Sequence, residues 1–184
     1  MPNARGHAGI HSLDRRIELE LIETIKLKQR IERILHEPGN DSMEKNPEMT
    51  VVIDWNLEHD QAKATTVHVM KTLKTYSERF KNARLNVVSW KSNEEISGEI
   101  VSMQTMIIGK YFDHFEPVMQ EKSLDCLVTF LKDYQTRSRI IIIVSDGTFY
   151  VADRKQVDKE IHPLLIKKTM LVCNDEVKDE SREL

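Results

Sequence analysis

Apolar positions along this chain alternate between short β-branched runs and stripes at helical spacing. Val51-Val52-Ile53 and Ile140-Ile141-Ile142-Ile143-Val144 are runs of the first kind, each followed closely by an acid, Asp54 or Asp146. Such runs read as strands buried on both faces, the pattern of a parallel sheet. Between them, Val67, Met70, Leu73 and Tyr76 recur at helical spacing over residues 61–80, and Leu124, Leu127, Val128 and Leu131 over 123–134. Further strands are predicted at 85–90, 106–108 and 169–173, with a short helix or irregular crossover at 95–103. A helix is expected at 153–166, interrupted by Pro163. Strands alternating with helices predict an α/β fold, a Rossmann-like parallel sheet of about five strands flanked by helices.

The pattern changes near residue 48. Residues 12–36 predict one helix: Ser12 is an N-cap, Leu27, Ile31, Ile34 and Leu35 form an apolar stripe, and Pro38-Gly39 stops it. Residues 37–47 are polar, with Pro, Gly, Asn and Asp, and read as a linker. The chain therefore divides into a helical extension with its linker (1–48), a globular domain (49–180) and a short tail (181–184). The stripe predicts docking on the domain in cis, or on a protein partner or second copy through residues 12–36.

Composition narrows the function classes. At 184 residues, with 40% hydrophobic and 31% charged residues, the chain suits one domain with a real core. A formal net charge of -3 excludes a general polyanion binder, so nucleic-acid contact would be local. Cys126 and Cys173 make neither a metal-ligand cluster nor a disulfide framework, which fits a reducing compartment. There is no apolar run of membrane-span length and no signal-peptide core around Arg5, His7 and His11, so a cytoplasmic or nuclear location is expected. No glycine-rich phosphate loop is present. His68 and His114 are isolated, at spacings that indicate no ligand set.

Candidate chemistry gathers at element ends. Asp54 ends the first strand, followed by Asn56 and Glu58; Asp125 opens a helix; Asp146 ends the fourth strand; Asp153 opens the next helix. In open α/β sheets, sites form outside the carboxyl ends of the strands. Oxygen donors converging there would suit Mg²⁺ or Mn²⁺, which could activate water at a phosphodiester. The plainer alternative is that each acid caps the helix or turn after it.

Several segments, taken in order, resemble a family. Val51-Val52-Ile53-Asp54-Trp55-Asn56 is similar to the opening strand of NYN domains, the Regnase-type branch of the PIN-like nucleases. Leu85-Asn86-Val87-Val88-Ser89-Trp90-Lys91 resembles the second strand of that family, and Ser123-Leu124-Asp125 its acidic helix start. Val144-Ser145-Asp146-Gly147-Thr148-Phe149 and Met170-Leu171-Val172-Cys173-Asn174-Asp175 resemble its last two strand ends. The resemblance implies a metal-dependent endoribonuclease acting on single-stranded RNA, in messenger-RNA decay or RNA silencing. Asp54, Asp125 and Asp146 would hold Mg²⁺ or Mn²⁺, and Asn56 would complete the catalytic set. Leu124 and Gly147, however, stand where the family keeps acids.

Two further readings follow from the same residues. A weakened site would leave a pseudo-nuclease, acting as an RNA-binding or scaffold subunit. A von Willebrand A-like interaction module would use Asp54-x-Asn56-x-Glu58 in place of D-x-S-x-S, Ser123 as its hydroxyl, and Asp146-Gly147 as its terminal D-G. Sheet order separates the third reading from the others, because the von Willebrand A fold normally adds an antiparallel edge strand. For RNA, Arg154 and Lys155 are the expected phosphate contacts, and Trp90 a base-stacking platform or a core residue. Lys71, Lys74, Arg79, Lys81 and Arg84 form a second basic cluster, most simply a solvated helix face.

Overall fold

The computed structural model describes residues 6–36, 48–80, 83–134, 136–152, 155 and 169–172, with side chains of the first helix described from Leu21 onward. Among the described residues five strands form one sheet: β1 (Glu48–Asp54), β2 (Arg84–Trp90), β3 (Ile96–Ile100), β4 (Ser138–Val144) and β5 (Thr169–Val172). Their order is β3-β2-β1-β4-β5. β1 pairs parallel with β2 and β4, and β4 pairs parallel with β5. β3 alone runs antiparallel, against β2. The α/β architecture expected from the apolar runs is present, as a mixed and mostly parallel sheet.

The alternation of side chains along each strand divides the core in two. Val51, Ile53, Val87, Ile140, Ile142 and Val144 face α1 (Gly6–Leu35), α2 (His59–Lys74) and α3 (Met103–Ile107). Val52, Val88, Trp90, Ile141 and Ile143 face α4 (Leu124–Leu131). Central strands buried on both faces need apolar residues at every position, which is why their sequences show runs with no alternation. Asp54 follows Val52 by two residues, so its side chain is directed to the α4 face.

The predicted N-terminal helix is present but begins earlier than expected, at Gly6, so Ser12 lies within it and does not cap it; its stripe docks in cis. Leu27, Ile31, Ile34 and Leu35 are buried. Arg30 donates to the Leu171 carbonyl at 2.7 Å, and Arg79 pairs with Glu32 at 3.1 Å. Leu21, Ile22 and Ile25, on the other side of the helix, remain exposed. The linker at 37–47 and the helix expected at 153–166 lie outside the described residues, apart from Lys155, which is helical and exposed.

Two assignments between β2 and α4 are corrected. Residues 106–108 form no strand; Met106 and Ile107 end the short helix α3, capped by the Ser102 hydroxyl accepting from the Thr105 N–H at 3.1 Å. A three-residue apolar run fits a buried helix turn as well as a strand. The third strand is instead Ile96–Ile100, where a short helix or crossover was expected. It joins β2 through a tight turn in which the Ser92 hydroxyl accepts from the Glu95 N–H at 3.0 Å. As a largely exposed edge strand, β3 needs no apolar run, so periodicity gave no signal for it.

Candidate functional site at the carboxyl edge of the sheet

In this strand order, the chain runs from β1 to one side and later returns to β4 on the other, so the crevice between β1 and β4 is the topological switch point. Asp54 ends β1 there, with Ser145 just past the end of β4. Asp54 is 1% exposed, and both of its carboxylate oxygens are engaged. Oδ2 accepts from the Ser145 hydroxyl at 2.7 Å, and Oδ1 accepts from the Asn56 backbone N–H at 2.9 Å. Oδ1 also accepts from the ammonium of Lys122, a fully buried side chain that makes a salt bridge with it. The same ammonium donates to the Trp90 carbonyl at 2.7 Å and lies 5.3 Å from the Trp90 ring centre.

Burial pushes the Lys122 ammonium below its usual lysine range; the hydrogen bond and charge of Asp54, and the charge of Asp146, act in the opposite direction. Removing two ions from water is costly unless geometry and hydrogen bonds compensate. Here they do so through the carboxylate, a carbonyl and a hydroxyl. The backbone delivers Lys122 to this place. Its carbonyl accepts from the Tyr150 N–H at 2.9 Å, the next N–H, that of Ser123, donates to Asn93 Oδ1 at 2.7 Å, and Asn56 makes two hydrogen bonds with the backbone of Gln120.

The other predicted acids have separate tasks. Asp125 Oδ2 accepts from the Ser123 hydroxyl at 2.6 Å and the Ala152 N–H at 2.7 Å, clasping the start of α4 to the 150–152 segment. Asp146 Oδ1 accepts from the Thr148 N–H at 2.8 Å and its hydroxyl at 2.5 Å, closing a turn over Gly147 at φ +80°. Among the described residues, no three His, Cys, Asp or Glu side chains form a group able to hold a metal ion. The residues present do not fit Mg²⁺ or Mn²⁺ at Asp54 while Lys122 keeps its position, because a positive charge already fills that cradle.

The remaining candidates divide similarly. Trp90 is fully buried, with its ring 5.6 Å from that of Phe149, so it serves the core and is closed to a nucleotide base. Arg154 lies outside the described residues. Lys122 is the residue that sequence reasoning missed. Among charged neighbours in a loop, nothing local distinguishes it from a surface lysine; only its distance from Asp54 in the fold does.

Around this buried pair the described surface carries apolar and acidic side chains, with the exposed Lys155 beyond the 150–152 segment. Met119, Tyr150 and Val151 are exposed, as are Glu58, Glu94, Glu116 and Glu121 on the surrounding loops. Lys91 is drawn off by its ion pair with Glu95 at 2.8 Å and its position 4.5 Å from the Trp55 ring. No described helix is long and apolar enough to cross a membrane. In comparisons with known proteins, no family model and no curated protein matches the chain.

Proposed function

We propose that this domain is a protein-interaction module of the von Willebrand A type, presenting the carboxyl edge of its sheet to a partner protein. The observation that carries the reading is the antiparallel edge strand β3 in the order β3-β2-β1-β4-β5. A nuclease of the PIN-like kind would be expected to keep a parallel strand there. The segments that resemble the A-type pattern also meet at one edge: Asp54-x-Asn56-x-Glu58 after β1, Ser123 before α4, and Asp146-Gly147 after β4. This reading accounts for the Asp-Gly order, which departs from the nuclease pattern. It also accounts for the exposed acids Glu58, Glu94, Glu116 and Glu121, which repel an RNA backbone and suit a basic, partly apolar protein surface.

The test has two arms. Purified protein is incubated with single-stranded RNA in Mn²⁺, and proteins retained by the immobilised domain are identified, purified and titrated against it. Intact RNA is expected, together with a purified partner whose affinity falls at least about tenfold for Met119→Arg or Tyr150→Ala, as expected for anchors at an interface centre. RNA cleavage that disappears in Asp54→Asn would overturn the reading in favour of the endoribonuclease. Uncleaved but tightly held RNA would favour the RNA-binding pseudo-nuclease.

A further inference from the structure

We infer that the Lys122 ammonium is a tethered cation standing in for a divalent ion at the carboxyl edge of the sheet, and that shortening this side chain opens a divalent-cation site at Asp54. The inference goes beyond the interaction-module reading and does not depend on which partner the domain takes.

Position is the first argument. Lysine is almost never fully buried unless paired, and this one is buried at the topological switch point, where an α/β sheet offers its binding crevice. Chemistry is the second. The partners of the ammonium are a carboxylate oxygen and a main-chain carbonyl, the hard oxygen donors that Mg²⁺ and Mn²⁺ also take. Preorganisation is the third. The Ser145 hydroxyl and the Asn56 N–H fix the two oxygens of Asp54, and the Trp55 N–H donates to the Trp90 carbonyl at 3.0 Å, so the donors are held by the fold and not by the ammonium alone.

Removing the ammonium leaves Asp54 buried without a counter-charge. The vacated volume would be bounded by the Asp54 carboxylate and the Trp90 carbonyl, with Asp146 near enough for its charge to act on a cation there. A small hydrated cation completes its shell with waters and needs only one or two carboxylates.

The experiment uses Mn²⁺ alone as the probe, on the full chain. Thermal midpoints are measured in chelator and in Mn²⁺, and binding is followed by the electron-spin resonance of free Mn²⁺. Wild type should give the same midpoint in both media and leave Mn²⁺ unbound. Lys122→Ala should melt lower than wild type in chelator and rise by roughly 5–10 °C in Mn²⁺ at about a hundred times its Kd. That rise should vanish in the double variant Lys122→Ala/Asp54→Asn. Lys122→Ser, which also vacates the volume and brings a hydroxyl oxygen, serves where the alanine variant does not fold in chelator. Equal Mn²⁺ binding by wild type and Lys122→Ala would overturn the inference. So would a Mn²⁺ effect that survives Asp54→Asn, or two Lys122 variants that gain nothing from Mn²⁺, folded or not.

Discussion

Asp54 accepts from the Ser145 hydroxyl, the Asn56 N–H and the Lys122 ammonium, so one carboxylate ties together β1, the loop after it, the loop before α4 and the end of β4. Replacing it with asparagine keeps the shape but strands the buried ammonium. Asp54→Asn should therefore cost roughly 3–5 kcal/mol, read as a lower urea midpoint at unchanged slope. Asp54→Asn combined with Lys122→Met removes both charges and should cost clearly less than the two single changes summed, the signature of direct coupling. His59 gives a pH-dependent contribution. Its ring bonds Asp60 at 3.0 Å and the Phe112 carbonyl at 2.8 Å, and these contacts, the Asp60 bond first, raise its pKa above the ordinary 6.5. A folded pKa above the unfolded one means that its stabilisation is fully present below 6.5 and is lost as pH rises through the raised value. The thermal midpoint of wild type should fall relative to that of His59→Gln over this interval, and a constant difference between them would refute the assignment.

At the scale of elements, two attachments decide whether the layers stay together. α1 docks through Ile31, which has no exposed surface, and its neighbours Leu27, Ile34 and Leu35. Ile31→Ala should destabilise the fold by about 2–5 kcal/mol, as for other large core truncations, and make α1 more sensitive to protease. In β3, an added Cβ at Gly98 would lie 2.3 Å from the Tyr134 hydroxyl oxygen. Gly98→Val should cost about 1–3 kcal/mol through overpacking. Adding Tyr134→Phe should recover part of that loss, because the offending atom is removed; no recovery would mean that the strand itself resists the larger residue.

For the molecule as a whole, the sheet order predicts a gradient of stability. β1 and β4 are central, paired on both sides and almost wholly buried, whereas β3 is an exposed edge. Amide hydrogen exchange should be slowest in β1 and β4 and at least about tenfold faster in β3, since edge strands open without global unfolding. Uniform protection across all five strands would contradict this gradient.

The sequence by itself determined the features written as repeated local patterns. The buried strands at Val51-Val52-Ile53 and Ile140–Val144, the stripe of α1 at Leu27, Ile31, Ile34 and Leu35, and the start of α4 at Ser123 are all legible, because burial on two faces, burial on one stripe and capping each select residue types at fixed spacing. Asp54 was legible as a candidate because an acid ending an apolar run stands out. Tertiary structure alone decided what that acid does. Lys122 reaches it across 68 positions of sequence, and a charge pair of that separation leaves no periodic trace. The direction of β3 was likewise settled by its pairing with β2 along an exposed edge, where solvent accepts almost any residue and the sequence carries no record of the partner.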